Sequence, residues 1–391
     1  LARMYGIMNP LFGLLAGLSV VVVLGFGGQL VVRGTISVGA FVAFFLYLGI
    51  LTWPLIALGW VINLFQRGAA SMSRLLEVLD AQPVIASPAK PRALPPSHGG
   101  RSITFRDVGF HFPTPQGAEP RWVLRHVSFT VPAGGTLAVV GATGSGKSAL
   151  IDLIPRVTDP QEGEILLDGV PLRELSVETL RAEIGYVPQE SFLFSDTIAS
   201  NLAYGDAGHA LVEHESEGEG EALPAQSRAQ GARDAEGNAW AAAVAQLSET
   251  VEEFPHGYGT QLGERGINLS GGQKQRLALA RALARRPRVV LLDDALSAVD
   301  THTEAEILRG LRGALAGRTA VIASHRVSAV RDASWIIVLD QGRVVEQGTH
   351  ATLIGAGGRY AALLSRQQLE ESIEESDEAQ DVREEGAATA G

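Results

Sequence analysis

One run of residues constrains this chain more than any other: Gly141-Ala142-Thr143-Gly144-Ser145-Gly146-Lys147-Ser148. The apolar stretch Thr136 to Val140 before it reads as a strand, and Ala149 to Ile154 after it reads as the opening turns of a helix. A glycine-rich strand-to-helix turn closed by Lys and Ser is a phosphate-binding loop. Gly141, Gly144 and Gly146 let backbone N–H groups turn inward and approach phosphate oxygens with no Cβ in the way. The helix start adds unpaired N–H groups and the positive end of its dipole. Lys147 supplies a point charge to the outer phosphates, and the Ser148 hydroxyl is placed for Mg²⁺.

The rest of the chain has to accommodate that loop beside a membrane segment. Of the 391 residues, 46% are hydrophobic, and the excess sits in the first 65. Leu11 to Val32 carries no charge and has the length of roughly 20 residues that a helix needs to cross a bilayer. Arg33-Gly34-Thr35 interrupts, and a second uncharged stretch runs from Ile36 to Phe65, long enough to protrude or tilt. Gly13 and Gly17 form a small-residue pair suited to helix packing. Trp53, Pro54 and Trp60 lie toward the far end of the second stretch, where interface aromatics and a kink are expected. Arg3, Arg67 and Arg74 put both outer ends on the cytoplasmic side, with Arg33 in a short external turn. No ionisable residue sits mid-span, so no ion relay is read here. Two spans make a hairpin rather than a pathway. The start at Leu1, close to a span, reads as internal to a longer protein.

Net charge is −11, which argues against nucleic acid as the main partner. There is no cysteine, hence no disulfide, thiolate metal site or Cys nucleophile.

After an amphipathic stretch, Ser73 to Leu79, the prolines Pro83, Pro88, Pro91, Pro95 and Pro96 predict an extended linker. Ile103 to Phe112 and Val123 to Val131 alternate as half-buried antiparallel strands do. Beyond the loop, apolar strands at Ile184 to Val187, Val289 to Leu292, Thr319 to Ala323 and Trp335 to Leu339 alternate with helices. This is an α/β core with a mostly parallel sheet. The strand at 289–292 runs into Asp293 and Asp294, and Asp293 is placed to hold Mg²⁺. Gln189 follows the strand ending at Val187, where it can sense the metal or an attacking water. His325 follows the strand ending at Ala323, within reach of a γ-phosphate.

A second glycine-rich helix start lies at Leu269-Ser270-Gly271-Gly272-Gln273, ahead of a strongly helical stretch from Lys274 to Leu283. Ser270 fits a helix cap. The same hydroxyl with two bare glycines also makes a second phosphate receptor. One site cannot readily use two such receptors from distant parts of a domain, whereas two domains facing head to tail can.

In order, GATGSGKS, VPQ, LSGGQ, LLDD, SAVD and SHR resemble the motifs of ATP-binding cassette (ABC) proteins, and the resemblance covers essentially the whole chain. It implies a membrane helical hairpin followed by an α/β P-loop NTPase domain, with an antiparallel β subdomain, a mostly parallel core sheet and a helical subdomain. The implied boundaries are 1–80 for the end of a transmembrane domain, with spans at about 11–32 and 40–62. A linker follows at 81–100, then a nucleotide-binding domain at 101–366 and an acidic tail at 367–391. Glu213, Glu215, Glu217, Glu219 and Glu221 mark an inserted acidic loop at about 209–238, where the family has a shorter connection.

The implied ligands are ATP and Mg²⁺. The loop 141–148 and Ala149 take the phosphates, and Ser148, Gln189 and Asp293 take the metal. Phe112 stacks on adenine, and Ser297, Ala298, Val299 and Asp300 form the D-loop. Leu269 to Gln273 reach a partner's ATP, while Asp294, His325 and Gln189 serve catalysis. Thr260 to Gly266 resembles the coupling segment of exporters. Ala149 departs from the family's Ser or Thr and removes one hydroxyl contact to phosphate.

The leading expectation is therefore half of an ATP-driven exporter in the cell (inner) membrane. Its nucleotide domain faces the cytoplasm, and its partners are a second half-transporter, the lipid bilayer and a transported small molecule. The fused spans disfavour a soluble ABC ATPase or an importer ATPase. Asp294 stands where fully active members carry Glu, and the shorter side chain draws the carboxylate back by roughly 1 Å, at a cost on the order of 10²-fold. The Asp-Asp pair, with Phe192 to Ile198, resembles one member of the heterodimeric multidrug-type exporters. That favours a heterodimer over a homodimer, with this chain holding the slow site. A regulatory subunit with little hydrolysis, or a lipid or peptide exporter, is the alternative.

Overall fold

The computed structural model describes residues 13–15, 17–114, 117–204, 237–326 and 330–369. The chain divides into two units, Leu1–Pro83 and Val84–Gly391, each taken here by itself.

In the first unit, Gly13–Val32 and Val38–Leu79 are helices apolar and long enough to span a bilayer. The turn between them forms at Gly34, with φ at +76°, and Thr35 donates its hydroxyl proton to the Leu30 carbonyl at 2.7 Å. Ser37 caps the second helix by accepting from Ala40 N at 3.1 Å. The first helix widens into a π turn over Val23–Gly27. A Cβ on Gly27 would meet the Phe41 ring at 2.7 Å, so the bare glycine is what lets that ring pack against it. The expected second span, 40–62, and the separate amphipathic stretch, Ser73 to Leu79, prove to be one 42-residue helix running through Pro54. At ~1.5 Å per residue it is about 63 Å long, twice a bilayer core of ~30 Å.

The second unit begins before the expected domain boundary. Arg92 N donates to the Glu174 carbonyl at 2.8 Å, and the Ser87 hydroxyl donates to Glu178 at 3.0 Å and accepts from Val177 N at 2.9 Å. Residues 84–100 form no helix or strand, and these bonds make the segment a strap on the domain.

The strands are β1 (Ile103–His111), β2 (Trp122–Val131), β3 (Thr136–Val140), β4 (Glu162–Leu167), β5 (Val170–Pro171), β6 (Ile184–Val187), β7 (Val289–Asp293), β8 (Thr319–Ala323), β9 (Trp335–Asp340) and β10 (Arg343–Gly348). They form an antiparallel sheet, β2-β1-β4-β5, and a six-stranded sheet, β10-β9-β3-β8-β7-β6. In the larger sheet only the β9–β10 pairing is antiparallel. Strand period explains its two faces. Leu137, Val139, Val289, Leu291, Val321 and Ile337 bury with Leu150, Ile151 and Leu153 of the helix after the loop and with the antiparallel sheet. Ala138, Val140, Val290, Leu292, Ile322 and Ile336 bury on the other face with Leu277, Ala278 and Leu279 of the helix Gly271–Ala284.

Several ends differ from expectation. Strand β1 stops at His111, leaving Phe112 beyond it, and β7 takes in Asp293. A helix over 237–244 claims Gly237 and Asn238 from the expected acidic loop, whose remainder lies outside the described residues. A helix over 359–369 likewise claims 367–369 from the expected tail, and 370–391 lie outside the described residues.

Candidate functional site

The phosphate loop joins β3 to the helix Lys147–Leu153. Gly146 caps that helix at φ +106°, and a Cβ there would meet Leu124 Cδ2 at 2.8 Å and the Val123 carbonyl at 3.0 Å. The loop is thus pressed against β2, and only glycine fits. Lys147 is buried, and its ammonium donates to the carbonyls of Gly141 at 2.9 Å and Ala142 at 3.2 Å. Ser145 Oγ is buried with no hydrogen-bond partner. Ala149 is buried in the core, so its side chain belongs to packing.

Asp293 is the last residue of β7 and is buried. Burial pushes its carboxyl up; the Ser148 hydroxyl, hydrogen-bonded to it, opposes this, the charges of Asp294 and Asp152 add to it, and Lys147 opposes it. Its Oδ1 has no hydrogen-bond partner. A buried, orphaned carboxylate oxygen beside a serine hydroxyl suits a hard divalent cation. Among the described residues no three His, Cys, Asp or Glu side chains gather for a metal, and Mg²⁺ held by one carboxylate and substrate phosphates needs no such group.

Asp294 turns out of the strand at φ +45°, a conformation Asp adopts more readily than most residues. Its N–H donates to the Ala323 carbonyl at 2.9 Å. Its Oδ1 accepts from His325 N at 3.1 Å and lies 2.9 Å from His325 Nδ1. The carboxylate oxygen accepts, which places a ring proton on Nδ1. Asp293, Asp294 and His325 therefore meet at the carboxyl edge of adjacent strands β7 and β8. Val187 pairs with Leu292, so Gln189, exposed two residues past β6, leaves the sheet at the same edge.

Phe112 is 59% exposed, with its ring edge-on to Phe110 at 5.1 Å. The strand partner of Phe110 is Leu124, which covers Gly146, and Phe112 follows two residues later, largely exposed.

The second glycine-rich turn is a helix cap. Ser270 Oγ accepts from Gln273 N at 3.2 Å and Gln273 Oε1 accepts from Ser270 N at 2.9 Å, a capping box. Leu269 is buried, whereas Ser270 and Gly271 are exposed. No described contact joins them to the phosphate loop of the same chain. Gly272 lies against the D-loop: a Cβ there would meet the Ala298 carbonyl at 2.8 Å. Ser297 N donates to the Asp294 carbonyl at 3.2 Å, Val299 is buried, and Asp300 caps the next helix by accepting from Thr303 N at 2.9 Å.

Sequence reasoning missed four participants. Gln275, buried on the apolar face of its helix, bonds to Ser297 and Ala298; the signal was a polar residue at a core position. Buried Glu304 pairs with Arg326, next to His325. Tyr186 donates its hydroxyl proton to Asp152 at 2.7 Å, one turn after Ser148. Burial raises the pKa of Asp152.

Residues 124–297 match the family described as ABC transporter. The chain is 38% identical over 365 residues to a probable multidrug resistance ABC transporter ATP-binding/permease protein of Bacillus subtilis, covering 93% of this chain and 57% of the relative. It is 35% identical over 359 residues to an ATP-dependent lipid A-core flippase of Desulfotalea psychrophila, covering 92% and 57%. The solved structure of a bacterial Atm1-family ABC exporter with ATP bound matches with a TM-score of 0.70 at 36% identity, covering 93% of this chain and 59% of that one. The chain thus spans a little over half the length of these relatives. The fold is that of an ABC exporter: apolar membrane helices followed by an ABC nucleotide-binding domain with antiparallel and parallel sheets. Residues 124–297 therefore carry an ABC transporter domain, and most of the chain is similar to exporter-type ABC proteins of the membrane.

Proposed function

We propose that this chain powers export by binding and hydrolysing ATP between its own phosphate loop and the turn of a second half-transporter that corresponds to its own Ser270-Gly271-Gly272. The observation that carries the proposal is the pairing of two features. Lys147 and Asp293 are both buried at the loop, with Ser145 Oγ and Asp293 Oδ1 lacking hydrogen-bond partners, while the exposed cap at Ser270 makes no described contact with that loop. Lys147 and the loop N–H groups bind phosphates, Ser148, Asp293 and Gln189 hold Mg²⁺, and Phe112 stacks on adenine. Mg²⁺ held by Ser148, Asp293 and Gln189 would supply positive charge to offset that developing on the phosphate. His325, oriented by Asp294 through Nδ1, offers Nε2 toward the γ-phosphate end.

We further infer that the chain's own site is the slow one of a heterodimer. Asp294 is one methylene short for a general base, and one of its oxygens is already committed to His325. The partner's phosphate loop, completed by this chain's Ser270, Gly271 and Gly272, then carries most turnover. The relatives' names divide between multidrug and lipid cargo, and the cargo assigned here is an amphiphilic small molecule of that general class.

The test is ATPase activity of the assembled, reconstituted transporter. Ser270→Arg places bulk and charge at the γ-phosphate end and nearly abolishes turnover, whereas Lys147→Ala abolishes nucleotide binding at this chain's loop. Fast hydrolysis by the full-length form of this chain alone, as a homodimer, overturns the asymmetry.

A further inference from the structure

The helix Gly271–Ala284 buries an almost wholly apolar face: Leu277, Ala278, Leu279, Ala280 and Leu283 are all but inaccessible. Gln275 lies among them at 6% exposure. A buried side-chain amide costs stability unless its donors and acceptor are matched, so its partners show what it is tied to. Its Oε1 accepts from Ala298 N at 2.8 Å. Its Nε2 donates to Ser297 Oγ at 2.9 Å, and also lies 3.5 Å from the Asp294 carbonyl. Every partner belongs to the segment Asp294–Ala298, and none to Gln275's own helix.

The same two segments touch again one turn earlier, where Gly272 has no room for a Cβ against the Ala298 carbonyl. Asp294 is gripped from the other side as well, its N–H by the Ala323 carbonyl and its carboxylate by His325. Its carbonyl end is therefore held by Gln275 and Ser297 N, and its side chain by His325. A displacement of the Ser270 end of the helix passes through one amide into the peptide that aims Asp294.

We propose that Gln275 is a positioning residue that links the two ATP sites. It transmits engagement of Ser270-Gly271-Gly272 on the partner's nucleotide to the D-loop and to Asp294 in this chain's own site. This rests on the head-to-tail reading above, in which one helix start and one carboxylate of the same chain serve different nucleotides. Gln275 touches neither nucleotide, so its effect falls on turnover and not on binding.

The experiment compares Gln275→Leu, Gln275→Glu, Ser297→Ala and the double variant Gln275→Leu/Ser297→Ala with wild type in the full-length, assembled transporter. It reads steady-state kcat and KM, MgATP affinity by nucleotide fluorescence, and melting temperature. Gln275→Leu keeps the volume and removes all the bonds. It is expected to lower kcat by about tenfold or more, because Ala298 also steadies the Ser270 turn that completes the site carrying most turnover, the scale of a misplacement of about 1 Å or less, with affinity within twofold of wild type and melting unchanged. Gln275→Glu keeps the acceptor for Ala298 N and loses the donor to Ser297, so it falls between the two. Adding Ser297→Ala to Gln275→Leu costs nothing further, because the bond it removes is already gone. Wild-type kcat in Gln275→Leu, alongside a dead Ser270→Arg control, overturns this inference while leaving the head-to-tail reading intact. Equal falls in affinity, kcat and melting temperature overturn it in favour of a packing role. Unchanged turnover in Ser270→Arg removes the head-to-tail reading and this inference with it.

Discussion

His325 and Asp294 are locked to each other twice: Asp294 Oδ1 accepts from His325 N at 3.1 Å and from His325 Nδ1 at 2.9 Å. One carboxylate oxygen thus fixes both the backbone and the ring of the histidine. Asp294 is buried to 12% side-chain exposure, while His325 keeps 55%. The geometry is that of an orienting acid beneath an accessible imidazole. It sets apart two roles that a carboxylate at this position could play, base and orienter.

The variant Asp294→Asn keeps an acceptor oxygen for His325 and loses only basicity. Reconstituted ATPase activity is expected to fall by less than about threefold, because the bond that orients the ring survives. With the partner-loop site inactivated, so that only this chain's own site turns over, Asp294→Asn is still expected to stay within about threefold, while His325→Ala lowers the remaining activity by on the order of 10²-fold. In the same background Asp294→Glu lengthens the side chain and is expected to raise that activity by about tenfold. Equal damage from Asp294→Asn and His325→Ala would mean that Asp294 is itself the working base.

Lys147 now neutralises the carbonyls of Gly141 and Ala142 from a buried position. Lys147→Ala leaves both without that donor and removes the cation opposite the phosphates. A fluorescence titration is expected to show MgATP affinity lower by more than about tenfold, with a stability loss of about 1–3 kcal/mol from the unmatched carbonyls. Unchanged affinity would remove the loop from the nucleotide site.

Gly146 has a single tolerated side chain, hydrogen. At φ +106° a Cβ meets Leu124 Cδ2 at 2.8 Å and the Val123 carbonyl at 3.0 Å. Gly146→Ala is expected to destabilise the domain by about 1–3 kcal/mol and to weaken ATP binding with it. Gly144→Ala meets no atom within 4 Å and pays only for its φ of +79°, so its melting temperature stays closer to wild type.

Much of this was legible in the sequence, for a physical reason: period and glycine placement are local. The apolar run Thr136 to Val140 read as a strand, and GATGSGKS specified the turn after it. Long-range ties were not legible. Nothing local says that Gln275 reaches Ser297 and Ala298, or that Asp294 turns left-handed toward His325. The linker shows the same limit. Its prolines predicted an extended path, but the bonds from Ser87 and Arg92 to the segment around Glu174 and Glu178 depend on residues about ninety positions away.

The entry to the nucleotide domain carries a buried charge network that is sensitive to acid. Arg101 is buried and holds Asp168 at 2.9 Å, Glu183 at 3.1 Å and the Pro95 carbonyl, while Arg288 reaches Glu183 at 2.8 Å. Burial alone would push the Glu183 carboxyl up, but the hydrogen bonds and charges of Arg101 and Arg288 outweigh it and hold the value below the ordinary range. The folded state therefore gives up this proton more readily than the unfolded chain, whose Glu titrates near ~4.3. The stabilisation is complete above that pH and is lost as the pH falls through the lower folded-state value. Denaturant midpoints of the unit Val84–Gly391 measured from pH 7 down to about 3 are expected to drop on the acid side, and Glu183→Gln is expected to flatten that drop. Arg101→Met strands two carboxylates at once and is expected to cost about 3 kcal/mol at pH 7, with part of the loss recovered as acid protonates them. If Arg101→Met lost as much at pH 4 as at pH 7, the strap would be held by the packing of Leu94 and its neighbours rather than by this charge network.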